Sequence, residues 1–305
     1  MAIKIIKEGG LSWINIDQIN EESLAYLKEN HNFHHLDLED IQSESQTPKI
    51  DTYKKYLFLV LHFPHWNSTT KTVISHEVDI FIGETYLITV QHTKSKEMKN
   101  FFYRCMKNKK TKKDWMSGTS GYLLYRLVES LFNNSHPILN NVGKHISRAE
   151  DEVFAGEQDT KIIRELAVHR RNILSFRRII DPQRYLIANL SHTRNEFIHE
   201  DLSLYFDNVV DYLNKLWAVS DTYKDTVDGL HVTVESLINQ RTNKVIGALT
   251  VISVALLPLT LFSGIYGMNI GLPFAEKPHL VWVMFLGLAV FILLVIAMMK
   301  NRKWI

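Results

Sequence analysis

The chain has 305 residues and a mass of 35.5 kDa, which is enough for two ordinary domains. Its 35 basic and 33 acidic side chains nearly balance, which excludes the basic excess typical of nucleic-acid-binding proteins. The single cysteine, Cys105, excludes an intramolecular disulfide framework and fits a reducing compartment. The stretch MAIKIIKEGG lacks the apolar core of a secretory signal, so none is expected.

Residues 1–120 are predicted to form a cytoplasmic α/β domain. The predicted strands are Tyr56–Phe63, Val78–Ile82 and Tyr86–Val90, with a tight Gly83-Glu84 turn between the last two. The predicted short helices are Ser23–Asn30 and Leu38–Ser43. The basic run Lys107–Lys113 is interpreted as a solvated loop or helix end, with binding to anionic lipid as the alternative.

This domain contains a cluster of histidines, whose close spacing raises the question of a zinc site, and a cluster of acids. The histidines are His31, His34 and His35, and the acids are Asp37, Glu39 and Asp40. A zinc site needs further ligands close by, so the histidines are interpreted as surface or helix-capping side chains. The acids are interpreted as residues at a helix start, where the helix dipole favours negative charge.

From residue 121 onward the apolar period is that of a helix. One run steps by three and four through Leu139, Val142, Ile146, Ala149 and Val153. The next steps through Ile162, Leu166, His169, Ile173, Phe176 and Ile180. Residues 156–159 are predicted to be a turn, so residues 121–197 are expected to form an antiparallel helical hairpin.

Residues 198–244 are predicted to form a long stalk helix. Its heptad seam consists of Leu202, Phe206, Val209, Leu213, Leu216, Ser220, Tyr223, Val227, Leu230, Val234 and Leu237. No proline interrupts the seam, so it should continue into the next apolar segment as one helix of roughly 65 residues. Gly229 is its weak point, at a cost of about 1 kcal/mol relative to alanine.

Two uncharged runs are long enough to cross a membrane. They are residues 245–266 and 280–299, with residues 267–279 as the connecting loop and 300–305 as a basic tail. Arg241 and Lys244 precede the first span, and three basic residues follow the second, whereas the loop contains only Lys277. The positive-inside rule therefore places both termini in the cytoplasm.

Serine and threonine side chains occur in the first span (Thr250, Ser253, Thr260 and Ser263) and not in the second. Ser253 and Thr260 fall on one helical stripe. The stripe consists of Asn243, Ile246, Leu249, Ser253, Leu257, Thr260 and Gly264. The alternative is that its hydroxyls only bond their own backbone carbonyls. Neither span contains an ionisable residue of the kind that a proton relay or charge-paired transport site needs. Two helices cannot enclose a pore, so a pore would require several copies of the chain.

The segment Gly267-Met268-Asn269 follows Tyr266 at the outer end of the first span. Glycine permits close backbone approach, and asparagine offers an uncharged oxygen. Such oxygens can bond the waters that Mg²⁺ releases reluctantly, so the segment suits the mouth of a pathway for a hydrated divalent cation. The alternative is a simple helix C-cap.

The sequence resembles the CorA family of divalent-cation transporters over essentially its whole length. The matching membrane segments are Thr242-Asn243-Lys244, Pro258-Leu259-Thr260, Gly264-Ile265-Tyr266-Gly267-Met268-Asn269 and Lys300-Asn301-Arg302-Lys303-Trp304. The matching upstream segments are His35-Leu36-Asp37-Leu38-Glu39-Asp40, Pro48-Lys49-Ile50 and Phe81–Val90. The resemblance implies an α+β membrane protein: an α/β domain, a helical hairpin, a stalk and two spans, assembled as a homopentamer in the inner membrane of a prokaryote.

The resemblance also implies roles for individual residues in Mg²⁺ transport, with Co²⁺ and Ni²⁺ as further cargo. Gly267, Met268 and Asn269 would form the outer selectivity ring, with Asn269 as the cation-site residue. Asn243 and Thr260 would be polar rings inside the pore, and Ile246, Leu249 and Leu257 its apolar constrictions. Membrane lipid and divalent metal are the expected partners, and no cofactor or enzyme activity is implied.

Two departures from the family pattern leave alternatives open. The stalk carboxylate that binds a regulatory cation in many magnesium members is Asn208 here, so Asp207 or Asp211 would have to replace it. The loop after Asn269 is more similar to that of the ZntB-like zinc branch, so proton-coupled Zn²⁺ transport is the alternative function. A membrane-anchored sensor that transports nothing is a more distant one.

Overall fold

The computed structural model describes residues 3–43, 46–155, 160–193, 202–273 and 277–301. The chain divides into two compact units, Met1–His231 and Val232–Ile305. The strands are β1 Ile3–Glu8, β2 Leu11–Ile16, β3 Lys49–Thr52, β4 Tyr56–Asn67, β5 Thr72–Gly83 and β6 Tyr86–Gln91. The helices are α1 Glu21–Asn30, α2 His35–Asp40, α3 Lys96–Lys107, α4 Lys109–Met116, α5 Ser120–Asn133, α6 Ser135–Phe154, α7 Thr160–His192, α8 Ser203–Tyr266 and α9 Pro278–Asn301.

The first unit is built on one mixed six-stranded sheet. The strand order is β1-β2-β6-β5-β4-β3, and only the β2–β6 pair is parallel. Alternate residues point to opposite faces, so each face has its own core. One core joins the sheet to α1 and α2: Ile14, Ile16, Leu27, Phe33, Leu38, Ile41, Tyr56, Phe58, Val60, Phe81, Ile88 and Val90. On the other face Trp13 packs edge-on against Phe102 of α3, at 4.8 Å between ring centroids.

The predicted strands are present but longer than expected. The β4–β5 hairpin pairs from Tyr56 with Gly83 to Asn67 with Thr72, well beyond the apolar runs read from the sequence. The extension was missed because polar side chains replace apolar ones toward the far end of both strands.

The prediction of a helix over Leu38–Ser43 was wrong by three residues. Helix α2 begins at His35, because the His34 Nδ1 atom accepts a hydrogen bond from the Leu36 amide and caps the helix there. The interpretation of His34 as a capping residue is thus confirmed. Asp37 lies in the first turn of α2, as predicted, and is buried there, where it accepts hydrogen bonds from the hydroxyls of Tyr53 (2.9 Å) and Tyr56 (2.6 Å). The prediction was wrong for Glu39 and Asp40, which lie at the end of α2.

Helices α6 and α7 pack on each other as the two helical periods predicted. Every apolar residue of both runs is buried, whereas His169 is half-buried and stacks on His145. The predicted turn at residues 156–159 and residues 194–201 lie outside the described part of the chain.

Helix α8 is continuous over 64 residues, as the uninterrupted pattern predicted. Its seam is buried from Leu202 to Ser220 and again at Val227, Leu230 and Val234. On the α7 side of α8, the Arg177 guanidinium lies 3.9 Å from the Trp217 ring centroid, and that of Arg184 lies 5.0 Å away.

The second unit contains the apolar end of α8 and the whole of α9. Phe262 of α8 lies 6.0 Å from Phe285 of α9 between ring centroids. Apolar side chains from both helices, among them Val251, Ala255 and Phe291, line a groove between them. The two helices therefore pack as a hairpin through one side of each.

Candidate functional site

The candidate site lies on the apolar end of α8. This part of α8 and the whole of α9 are each long and apolar enough to cross a membrane. Their side chains are largely exposed, which is not the environment of core helices in a soluble protein. Between Val245 and Tyr266 the sequence contains no ionisable side chain other than the tyrosine hydroxyl, so any polar chemistry there depends on neutral oxygens.

The polar stripe and the α9 contact occupy opposite sides of α8. The half-buried residues Val251, Ala255 and Phe262 face α9, whereas Leu249 and Leu257 of the stripe are 63% and 66% exposed. At 100° per residue, Ser253 lies about 160° around the helix from both Val251 and Ala255. The other stripe residues, Asn243, Ile246, Thr260 and Gly264, are exposed as well. The chain thus brings the predicted pore-lining residues together on a face that α9 leaves uncovered.

Hydroxyl groups in this region bond to their own helix. Thr260 donates from Oγ1 to the Leu256 carbonyl, and Thr250 donates to the Ile246 carbonyl, both at 2.8 Å. Such bonds to the backbone are what we expect if the hydroxyls of the stripe do not line a pore. The oxygen lone pairs remain as acceptors, so Thr260 keeps the capacity to accept a hydrogen bond from a passing water.

Helix α8 ends at the Gly-Met-Asn segment without a left-handed cap. The Gly267 amide donates to the Ser263 carbonyl at 2.9 Å, and the Met268 amide donates to Ile265 at 3.2 Å. Gly267 does not have a positive φ, so the simple glycine C-cap is not the conformation present. A β-carbon on Gly267 would lie 3.1 Å from the Ser263 carbonyl oxygen, a tight contact. Gly267, Met268 and Asn269 are all exposed.

Tyr266 ties this segment to the following loop, which sequence reasoning missed. Its hydroxyl donates to the Pro273 carbonyl at 3.3 Å, and its ring packs 4.7 Å from that of Phe262. The tether closes residues 267–272 into a short loop. The signal available in the sequence was an aromatic residue with a polar tip at a membrane end, facing a loop with a proline. Residues 274–276 of the loop lie outside the described part of the chain.

The candidate regulatory acids lie in the first unit, well before the Gly-Met-Asn segment in the sequence. Asp207, Asn208 and Asp211 are all exposed on α8. Neither Asp207 nor Asp211 belongs to a group of three or more potential metal ligands among the described residues of the single chain. A site that uses them would need ligands from another source.

A soluble α/β unit followed by a hairpin of exposed, membrane-length helices defines an integral membrane protein. Residues 8–301 match the family described as "CorA-like Mg2+ transporter protein". The chain is 26% identical over 300 residues to the cobalt/magnesium transport protein CorA of Thermotoga maritima, covering 96% of this chain and 83% of that one. It is 20% identical over 298 residues to the zinc transport protein ZntB of Yersinia pseudotuberculosis, covering 96% and 88%.

Among solved structures, the chain is similar to the complete CorA magnesium transporter from Methanocaldococcus jannaschii. The TM-score is 0.81 at 19% identity, over 95% of this chain and 91% of that one. The chain therefore belongs to the CorA family of divalent cation transporters. The resemblance that the membrane motifs predicted is confirmed.

Proposed function

We propose that this protein is a channel-like Mg²⁺ transporter in which five copies surround a pore lined by α8. The observation that carries the proposal is the uncharged polar stripe on the face of α8 opposite α9. A neutral, oxygen-bearing face that α9 does not cover suits a cation that keeps its water shell, because bonding to the waters does not require stripping them. Co²⁺ and Ni²⁺, which form similar hexahydrates, are further cargo.

The Gly267-Met268-Asn269 segments form the outer ring of this pore. Five Asn269 amide oxygens would bond the waters of one cation, and the tether from Tyr266 to Pro273 would hold each segment in place. Ile246, Leu249 and Leu257 form apolar constrictions, and Asn243, Ser253, Thr260 and Gly264 line the path between them. The excess of Lys and Arg on the terminal side of both spans supports an inner-membrane protein with cytoplasmic termini.

The ring is tested by flux into proteoliposomes. Asn269→Ala removes the amide oxygens from an exposed position, so Mg²⁺ flux should fall at least about tenfold while assembly stays normal. Asn301→Ala is the matched control, because Asn301 is also an exposed asparagine at the end of a membrane helix. Equal flux in wild type and Asn269→Ala would place the cation site elsewhere.

The oligomeric state has a separate test. Native mass measurement in detergent or lipid should give a ring, with five copies as the expected number. A stable monomer or dimer that still conducts would overturn the pore, because two apolar helices cannot enclose one.

Zn²⁺ transport is the second candidate function. The similarity to a protein named as a zinc transporter over 96% of the chain favours it, as does the loop after Asn269. Side-by-side flux of Mg²⁺, Co²⁺, Ni²⁺ and Zn²⁺, with and without a pH gradient, separates the two. Zn²⁺ flux that depends on the gradient, with no Mg²⁺ flux, would select the zinc function.

Regulation by cytoplasmic Mg²⁺ should be weak in this chain. Asn208 brings no charge to the stalk position, so Asp211, one turn away on nearly the same face, is the better ligand for a cation shared between subunits. Protection of the soluble unit from protease by Mg²⁺ should therefore be weak in wild type and absent in Asp211→Ala. Strong protection that survives loss of both Asp207 and Asp211 would refute this assignment.

A further inference from the structure

Four ionisable side chains converge on one face of the sheet, at the end of the β4–β5–β6 meander. His62 of β4 pairs directly with Glu77 of β5. His92 follows β6 and continues the register in which Val78 pairs with Gln91, so it lies on the other side of Glu77. Asp79 is two residues from Glu77 and therefore on the same face. The row lies beside the apolar core that contains Val60 and Val90.

Ligand atoms of Glu77, Asp79 and His92 all lie within 4.8 Å of one another, and His62 adjoins Glu77. Glu77 presents Oε2 at 3.2 Å from His62 Nε2, and Oε1 at 3.3 Å from His92 Nε2. His92 Nε2 also lies 2.7 Å from Asp79 Oδ2. Two atoms that bind the same tetrahedral ion at about 2.0 Å lie about 3.3 Å apart. The two Glu77 spacings fit that separation, whereas the 2.7 Å between His92 and Asp79 is a hydrogen bond.

Three polar atoms of this row lack a hydrogen-bond partner within the described part of the chain, although His92 Nε2 and Asp79 Oδ2 are hydrogen-bonded to each other at 2.7 Å. Asp79 has no solvent exposure, and its Oδ1 atom has no hydrogen-bond partner among the described residues. The same holds for Glu77 Oε1 and His62 Nε2, although Glu77 Oε2 accepts a hydrogen bond from the Gln46 amide at 3.0 Å. A buried carboxylate oxygen without a hydrogen-bond partner is unfavourable, and buried carboxylates in proteins are paired or coordinate metals.

We propose that His62, Glu77, Asp79 and His92 bind one transition-metal ion of the Zn²⁺ class in the soluble unit. Two imidazole nitrogens with carboxylate oxygens are a donor set that suits Zn²⁺, Co²⁺ and Ni²⁺, whereas Mg²⁺ prefers oxygen ligands alone. The ion would give the unpartnered oxygen of Asp79 a partner and neutralise two buried negative charges. This site shares no residue with the proposed pore, so it stands whichever cation the pore conducts.

A second histidine cluster differs from the first in its hydrogen-bond partners. His65, His76 and Glu97 lie on the opposite face of the sheet, where the rings of His65 and His76 stack at 4.1 Å between centroids. His65 Nδ1 is 3.6 Å from Glu97 Oε1, and Ser95 donates to Glu97 Oε2 at 2.8 Å. No atom of these three residues is buried without a hydrogen-bond partner. Of the two clusters, only the first therefore has unpartnered buried atoms that an ion would bind.

The test is equilibrium binding of Zn²⁺ to the full-length chain in detergent, at neutral pH and in a large excess of Mg²⁺. The wild type should hold one more equivalent of Zn²⁺ per chain than the His62→Gln/His92→Gln double variant. Each single variant should weaken binding at least about tenfold, as loss of a direct ligand requires. His31→Gln is the matched control, since His31 is a half-buried histidine that stacks on Phe33 away from the row.

Two further measurements separate this site from the pore ring and provide a readout on the wild type alone. Asn269→Ala should bind Zn²⁺ at this site as wild type does, which separates the site from the pore ring. Co²⁺ bound to the wild type should give the visible absorption of a tetrahedral nitrogen and oxygen site, a readout that does not depend on any variant folding. A wild type that holds no Zn²⁺ against Mg²⁺, or a folded double variant that holds as much as wild type, overturns the proposal.

Discussion

Cysteine substitution along α8 tests the assignment of its two faces directly. In an assembled pore, Ser253→Cys on the stripe faces water, whereas Val251→Cys and Ala255→Cys face α9, about 160° away around the helix. A thiol in water ionises and reacts with a charged methanethiosulfonate reagent, and a thiol held among apolar groups does not. We expect the stripe position to be modified at least about tenfold faster than either control.

Labelling of the native cysteine, Cys105, should contribute little background to this experiment. Cys105 is fully buried in α3, and burial raises the pKa of its thiol from 9.0 to about 11. At pH 8 its thiolate fraction is therefore about a hundredfold lower than that of an unperturbed thiol, before its inaccessibility is counted. Wild-type protein should remain unlabelled over the time in which Ser253→Cys reacts to completion.

The assay is mass spectrometry of the reconstituted protein after timed exposure to the reagent. Addition of Mg²⁺ should slow modification of Ser253→Cys, since a hydrated ion in the pore competes for the same space, and should not change the slow rate at Ala255→Cys. Equal rates on the two faces, or faster reaction at Val251→Cys, would refute the pore-facing assignment of the stripe.

Three further predictions concern the soluble unit. Gly229→Ala should stabilise α8 by about 1 kcal/mol in thermal unfolding, because Gly229 is exposed in mid-helix and a β-carbon there meets nothing within 4 Å. Trp217→Ala should cost about 1–2 kcal/mol in chemical denaturation from the loss of two arginine contacts, and Trp217→Phe should cost less. Burial raises the pKa of Asp37 above 3.8, so the folded state holds its proton more tightly than the unfolded state does. The stability advantage of wild type over Asp37→Asn should therefore shrink as pH rises through that raised pKa, and an advantage that grows with pH in urea unfolding would contradict this sign.

The membrane part could be predicted from the sequence because its signals are local. Uncharged runs of membrane length and a stripe of period 3.6 depend on residue spacing alone, and α8 and α9 confirm both helices. The side of α8 on which α9 packs could not be predicted, since apolar residues occupy a wide arc outside the stripe and their spacing does not select one side. It took the ring contacts of Phe262 and Phe285 to identify it.

In the first unit, sequence reasoning did not consider the surroundings of Asp79. The predicted strand Val78–Ile82 contains Asp79, and a fully buried carboxylate in a strand is costly unless something compensates its charge. The side chains near Asp79 come from elsewhere in the sheet: His62 lies opposite Glu77 in the β4–β5 register, and His92 follows β6 and is hydrogen-bonded to Asp79 Oδ2 at 2.7 Å. No spacing rule joins residues 62, 79 and 92, so their meeting depends on strand pairing. The Asp79 charge itself was visible, and it was sufficient reason to expect a partner on the neighbouring strands.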